Sequence, residues 1–471
     1  MEDYVRGWII NNGIGWIVLP FALFCVVAEL CSNGSAIKNV LLNVFKWLKE
    51  NVIFRLRLAR RRHFNKQLSS EDFLTWQLYV LRRLYFREEN INGFELCKLK
   101  FGNDVQEYEA AIWSPTHVIK YPFSSIWDKN KLVYMQDPQF KKIDDYIQDD
   151  LSSDLHKMVR KYEKIIRATV HSPNKIGYMM DKIVILDEQL VEVRTRVGNY
   201  YQNILQSHVL EYELYMLYKK TVSFSIRKKD GNGILKKVEQ MSDGELWDSL
   251  PLRRKIHIQC NETEFIDGSG RASLMSVQIM VLIKNINGKY DCLRIRRSEN
   301  VAAKAGFLQF VPSGGFEAFN DGDSIDIQRS NYSINKVLFR ELGEECFGLS
   351  ESKDFIRKPV EIIYENEYIK AILKLIKQGK AQYEFIGIAE SLAGLRPEFC
   401  FLLVIKDPTI ASHIVCNSET DSTITLIDIV EMEKPEFWNA DDRKKLNCTS
   451  AALWQLARKT ELYQSCLNAT K

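Results

Sequence analysis

The sequence predicts an α+β chain: an apolar N-terminal helix, a mixed α/β middle region, and a C-terminal domain of strands around one acidic helix. Three features carry that expectation. Residues 14–28 contain no charge at all; residues 67–225 mix helical periodicity with alternating strand patterns; and from residue 270 apolar runs and a Gly-Gly turn lead into RELGEECFG at 340–348. A length of 471 residues suits two or three domains at ~150 residues each. Composition places their boundaries at 1–66, 67–225, a linker at 226–269, and 270–471. A hydrophobic content of 46% with 27% charged residues is that of a core-forming protein, and a net charge of +4 makes no case for a specific nucleic-acid partner. The ten cysteines show no CxxC or CxxH spacing, so neither a zinc site nor a disulfide framework is expected, and the bulk of the chain fits a reducing compartment.

The first element is GIGWIVLPFALFCVVAELC at 13–31, which with Trp8, Ile9 and Ile10 approaches the ~20 residues that cross a bilayer. A signal peptide would begin with basic residues and end at a small-residue cleavage site. This segment begins MEDYVR and runs on into AELCSNGS, so a membrane anchor is expected. Ile37, Val40, Leu41, Val44, Phe45, Leu48 and Val52 then recur at helical spacing, leaving Lys38, Lys46, Lys49 and Glu50 on the other face. Such an amphipathic helix lies among lipid headgroups, crosses a second time, or docks on the soluble part; the pattern alone leaves these open. Arg55, Arg57, Arg60, Arg61, Arg62 and Lys66 follow it as a basic cluster. By the positive-inside rule the cluster keeps the later domains cytoplasmic and gives a membrane protein of one or two passes; a basic patch on a soluble helix is the competing reading.

In the middle region, LSSDLHKMVRKYEKIIRATV (151–170) and YYQNILQSHVLEYELYMLYKK (200–220) read as helices, while KIVILDEQLVEVRTRV (182–197) and EYEAAIWSPTHVIKYPFSSI (107–126) read as strands or hairpins. Tyr200, Tyr201, Tyr212, Tyr215 and Tyr218 suit helix packing better than base stacking, and His117, His156, His171 and His208 show no metal spacing. After the Gly, Asp and Ser of RKKDGNG and IDGSGRAS comes SVQIMVLIKNINGKYDCLRIRR, in which Asn287-Gly288 between apolar runs signals a hairpin.

The acidic helix raises a physical question. Glu341, Glu344 and Glu345 share one face at i, i+3 and i+4, and each like-charge pair costs a helix roughly 0.2–0.5 kcal/mol. Arg340 is the one cation close by. A divalent ion would remove the repulsion, since Mg²⁺ takes oxygen ligands from a few carboxylates, water and phosphate.

FLQFVPSGGFEAFNDGDS (307–324) followed by NKVLFRELGEECFGL places strand, Gly-Gly turn, acidic loop and acidic helix in an order that resembles the Nudix hydrolase family. Gly314 and Gly315 match the glycines that open its box; Arg340, Glu341, Leu342, Glu344 and Glu345 match its helix; and Gly348 stands one residue late, after Phe347. The resemblance spans about 270–471, including QYEFIGIAES, RPEFCFLLVIKD and a terminal helix starting TSAALWQLARK. It departs in the loop: 25 positions separate Gly315 from Arg340, eleven more than in the family's pattern. The upstream glutamate is therefore displaced, with Glu317, Asp321 or Asp323 in its place.

The resemblance implies a Nudix-like α/β/α sandwich with a mixed sheet. It also implies Mg²⁺ or Mn²⁺ at Glu341, Glu344 and Glu345, with Arg340 turned away from Glu344 to orient a carboxylate. Substrate contacts are expected at Gly314, Gly315, Glu317 and Asp323, and Glu390 and Glu398 are the candidates for general base. The implied activity is hydrolysis of a nucleoside diphosphate linked to another moiety. The arrangement of parts is similar to membrane-anchored Nudix effectors of bacterial cyclic-oligonucleotide antiviral systems, which implies a nucleotide messenger and membrane lipid as partners and is compatible with a homo-oligomer. A Nudix-like sensor without turnover is the alternative.

Overall fold

The computed structural model describes residues 61–86, 90–91, 93–123, 153–166, 176–222, 231–259, 271–297, 304, 306–318, 332–349, 363–415 and 424–470. All of them belong to the unit Arg61–Lys471. The expected span at 13–31 and the amphipathic helix after it lie outside the described residues; among those described, no helix is long and apolar enough to cross a membrane. Of the basic cluster, Arg61 is buried while Arg62 and Lys66 are exposed.

Helix α1 (Glu71–Tyr85) is capped by Ser70, whose hydroxyl accepts from the Phe73 N–H, and carries Glu71 and Asp72 in its first turn and Arg82 and Arg83 in its last. Strands β1 (Asn90–Ile91), β2 (Phe94–Phe101) and β3 (Asp104–Trp113) follow as a meander, then β4 (Ile119–Lys120). Helix α2 (Ser153–Ile166) and the hairpin β5 (Ile176–Leu186) with β6 (Gln189–Asn199) agree with the sequence patterns. The next helical run has three parts: Tyr200–Asn203, a π-turn at Ile204–His208, and α3 (Val209–Thr221). Tyr212, Tyr215 and Tyr218 of α3 are core residues, packed around Phe64 and Phe73.

The stretch at 226–269 is more than a polar connection. Helix Asp243–Asp248 starts on a Ser242–Glu245 capping box, and α4 (Pro251–Gln259) follows it. Val238, Leu246, Leu250 and Ile256 are buried in the same core as α1 and α3. The further strands and principal helices are β7 (Ser273–Leu274), β8 (Ser276–Lys284), β9 (Tyr290–Arg296), β10 (Leu308–Phe310), β11 (Ser313–Gly315), α5 (Ile334–Phe347), α6 (Glu367–Lys377), β12 (Ala381–Ser391), β13 (Arg396–Ile405), β14 (Thr425–Asp428), α7 (Cys448–Arg458) and α8 (Glu461–Thr470).

The main sheet is mixed, with the order β1-β2-β3-β12-β13-β8-β9-β10, and it curls as β11 adds to β8, β14 to β9 and β4 to β12. Among the described strands, only β13 and β8 run parallel. Both are buried along nearly their whole length, which is why they read as continuous apolar runs. Val277, Ile279, Val281, Phe399, Phe401 and Leu403 enter one core, covered by α1, α3, α5 and α6. Met280, Leu282, Cys400, Leu402 and Val404 enter the other, covered by α7 and α8. Strand β3 obeys the same alternation, with Ala111 and Trp113 in the first core and Ala110 and Ile112 in the second. One sheet is thus assembled from both sides of the 226–269 stretch.

The alternation at 107–126 gives strands in the described part of that stretch: β3 and β4 both pair antiparallel with the same edge of β12, Trp113 against Ile388 and Ile119 against Phe385. Between these pairings β12 bulges at Gly387, whose φ is +150° and where an added Cβ would stand 2.3 Å from the Trp113 carbonyl oxygen. The bulge lets residues 114–118 leave the sheet and β4 rejoin it.

Glu213 of α3 shows how the 226–269 stretch is held. Its buried carboxylate accepts from the Leu252 N–H at 2.6 Å and the Arg253 N–H at 3.2 Å, closing the start of α4. Burial pushes its pKa up to about 7, against the pull of Arg253 and those two amides. A folded-state pKa above the unfolded one means the native state binds the proton more tightly. This contribution is complete below the unfolded value and is lost as pH rises through about 7. At full effect it amounts to ~3 kcal/mol. The unfolding midpoint of the wild type is therefore expected to fall, relative to Glu213→Gln, between about pH 5 and about pH 8. Thermal unfolding of both proteins across that range checks it, and parallel curves would refute it.

Candidate functional site

The site begins at β11. Ser313, Gly314 and Gly315 pair with Gln278, Val277 and Ser276 of β8, so the Gly-Gly turn is held flat against the centre of the sheet. Helix α5 packs beside it because Ile334, Val337, Leu338, Phe339, Leu342 and Cys346 face the core. It ends at Gly348, in a left-handed conformation with φ +66°, and the Gly343 carbonyl accepts from the amides beyond the end. This accounts for a glycine one place later than the family's pattern.

Gly314 is required by contact. A Cβ there would lie 1.7 Å from Glu341 Oε2, so the carboxylate occupies the space a side chain would take. At Gly315 a Cβ would meet Leu274 Cδ2 at 2.7 Å. Arg340, 4% exposed, fixes the arrangement by donating to the carbonyls of Gly315 (2.9 Å) and Glu317 (2.8 Å) and to Glu341 Oε1 (2.8 Å). It orients a carboxylate, as the resemblance implied, but it is not turned away from Glu344: Arg340 Nε stands 3.9 Å from Glu344 Oε2, because i and i+4 share a face. Burial alone would lower the Arg340 pKa; Glu341 and Glu344 outweigh it and raise the value. Glu345 turns to the strand, where its Oε2 accepts from the Ser313 N–H at 2.8 Å.

The repulsion on the acidic face is thus relieved within the protein itself. Two carboxylates share Arg340 and the third takes a backbone amide. Among the described residues no group of three or more His, Cys, Asp or Glu side chains stands ready to hold a metal ion.

Next to the glycines is a cavity of about 270 Å³. Gly314, Gly315 and Glu317 line it, whereas Asp321 and Asp323 lie outside the described residues. Of the two candidate bases, Glu398 lines the cavity, while Glu390 is fully buried in the core and paired with Arg271 at 3.4 Å. Burial raises the Glu398 pKa, opposed by Arg396 and Thr449. Arg396 Nη2 stands 3.7 Å from Glu398 Oε1, and Arg396 Nη1 is 2.8 Å from His208 Nε2. A guanidinium can only donate, so His208 accepts through Nε2 and carries its proton on Nδ1. Burial, then Arg396, holds the His208 pKa well below its ordinary value, and the imidazole is neutral.

The far wall was not legible in the sequence. Tyr200, His208 and Glu211 come from the helical run of the middle region, His208 from its π-turn, a feature frequent at functional sites. Arg297 and Lys304 come from the segment after β9. Lys304 Nζ bonds Glu109 at 2.7 Å and stands 3.8 Å from Glu211. Burial would lower its pKa, but the two carboxylates reverse the shift. Burial lowers the Arg297 pKa, while Glu345 and Glu398 pull it upward, so its charge acts on the acidic helix and on the candidate base together.

Arg297, Lys304 and Arg396 share this small cavity with the carboxyls of Glu211, Glu317 and Glu398 beside a flat glycine backbone, a lining suited to a polar ligand. No protein-family model and no curated protein matches this chain.

Proposed function

We propose that the chain is a Nudix-type hydrolase, anchored in a membrane by its N-terminal segment, that cleaves a nucleoside diphosphate linked to another moiety. The observation that carries this reading is the seating of the acidic helix on the glycine turn, with the Glu341 carboxylate filling the space over Gly314 at the edge of a cavity. The mixed sheet with helices on both faces agrees with a Nudix-like sandwich.

The donor set fits Mg²⁺ or Mn²⁺ in chemistry, being carboxylate oxygen throughout. Its placement suits a pair of protein ligands, since Glu341 is committed to Arg340 and Gly314. Glu344 and Glu345 would hold the ion, the remaining positions being left to water and substrate. A bound ion supplies charge neutralisation at the phosphates and an acidified water. The chain's own groups do the rest. Arg297 and Arg396 offset charge developing on phosphate oxygens. Glu398, kept ionised by Arg396 and made more basic by burial, takes the proton of the attacking water. The water oxygen bonds to phosphorus as the bridging P–O bond breaks, and its electron pair leaves with the departing phosphate.

Incubating the full-length chain with Mg²⁺ and a panel of nucleoside diphosphate derivatives tests this. Turnover is expected to need the ion and to fall roughly 100-fold in Glu344→Gln, a loss of ~3 kcal/mol. Binding without product would favour a nucleotide sensor. An effector regulated by a nucleotide messenger is compatible with either outcome.

A further inference from the structure

A second cavity, of about 730 Å³, shares no lining residue with the first. It lies between residues 114–120, the strand β12 and the corner where α7 gives way to α8. Small-molecule sites commonly measure ~300–1,000 Å³, so the space is of ligand size.

Its walls differ in chemistry. Ile386, Leu456 and Leu462 supply an apolar side, with Tyr290 beside them. Lys120, Lys406 and Lys459 bring three ammonium groups. Lys459 is paired with Glu95, whereas neither Lys120 nor Lys406 forms an ion pair among the described residues. Helix α8 begins here too: Thr460 Oγ1 accepts from the Tyr463 N–H at 3.1 Å, and Thr460, Glu461 and Leu462 all line the cavity. The positive end of a helix dipole therefore adds to the lysines.

Glu384 is the independent observation. It is 4% exposed, it lines the cavity, and among the described residues its carboxylate makes no hydrogen bond or ion pair. Lys120 is its cross-strand partner in register. Burial raises its carboxyl pKa, with Lys120 opposing. Its carboxylate opens on the cavity, so a ligand that displaces the water there must bring matching donors. Two adjacent N–H groups on one planar edge match the two oxygens of a carboxylate, and guanine presents such an edge.

We propose that this cavity is a second ligand site, for a nucleoside monophosphate of the guanine type. The base edge rests on Glu384 with its ring against Leu456 and Ile386, and the phosphate lies among Lys120, Lys406 and the start of α8. No metal ion and no acidic-helix residue takes part, so the site stands or falls independently of the hydrolase reading.

Calorimetric titration of GMP into the full-length chain, with divalent ions removed by chelation, is the test. Saturable binding is expected, weakened tenfold or more in Glu384→Gln and in the Lys120→Gln/Lys406→Gln double variant. It should be unchanged in Glu344→Gln, which alters the first site. Unfolding midpoints confirm that the variants are folded. Guanosine and inorganic phosphate are each expected to bind more weakly than GMP. Absence of saturable binding at millimolar GMP overturns the proposal. So does loss in Glu344→Gln with retention in Glu384→Gln, or equal binding of phosphate alone.

Discussion

Gly314→Ala is expected to cut the proposed hydrolysis roughly 100-fold while leaving most of the fold intact. The new methyl group would stand 1.7 Å from Glu341 Oε2 and 2.1 Å from its Cδ, distances no packing tolerates. The strand is held in place, because β11 is paired to β8, an interior strand of the sheet. The Glu341 side chain must therefore swing out, leaving Arg340 without its 2.8 Å contact. A charge-assisted hydrogen bond of that kind is worth about 1.5–3 kcal/mol, so thermal unfolding should report a modest loss. Activity should fall far more, by roughly 100-fold, since a displacement of about 1 Å in a positioning group has that effect. If alanine at 314 left turnover intact, Glu341 would have no place in the chemistry.

Arg253→Ala is expected to give the largest loss of stability of any single substitution considered. Arg253 is fully buried and donates to the Leu392 carbonyl at 2.7 Å, to the Ala393 carbonyl and to the Tyr85 hydroxyl at 3.0 Å. These acceptors belong to the turn between β12 and β13 and to α1, so one side chain of the 226–269 stretch ties both to α4. Truncation strands several buried acceptors and opens a void, at a cost of ~3–5 kcal/mol. The turn it supports carries Ala393 and Gly394 in the wall of the first cavity. Substrate affinity should therefore weaken along with the unfolding midpoint. Arg253→Lys keeps the charge without the planar fork and should recover only part of either. Unchanged unfolding in Arg253→Ala would show that water replaces the guanidinium without penalty.

What could be read from the sequence was local. The Asn287-Gly288 hairpin, the strands at 381–391 and 396–405 and the helices at 153–166 and 448–458 each announce themselves through period and turn residues within a short window. The same holds for Gly314, Gly315 and the glutamates of α5, whose spacing is fixed by one turn and one helix. Pairings between distant segments left no such trace. Nothing near Trp113 signals that it will lie beside Ile388, and both strands carry apolar residues suited to many partners. His208 was invisible as a site residue because its placement depends on a π-turn inside a run that keeps ordinary helical periodicity. Lys304 and Arg396 carry no signal of a site in the sequence, because it is the fold that sets Glu109, Glu211 and Glu398 against them. The polarity of 226–269 concealed helices because only a few of its residues face the core.

The order of strands in the main sheet bears on how the protein is made. Strand β3 is completed at Trp113, yet its neighbour β12 starts only at Ala381, so during synthesis an open, sticky edge waits for most of the polypeptide to leave the ribosome. A chain still emerging has Tyr200 and His208 but lacks Arg396 and Glu398, and therefore has no cavity. The β12 edge of β3 therefore stays unpaired until the last fifth of the chain has been translated.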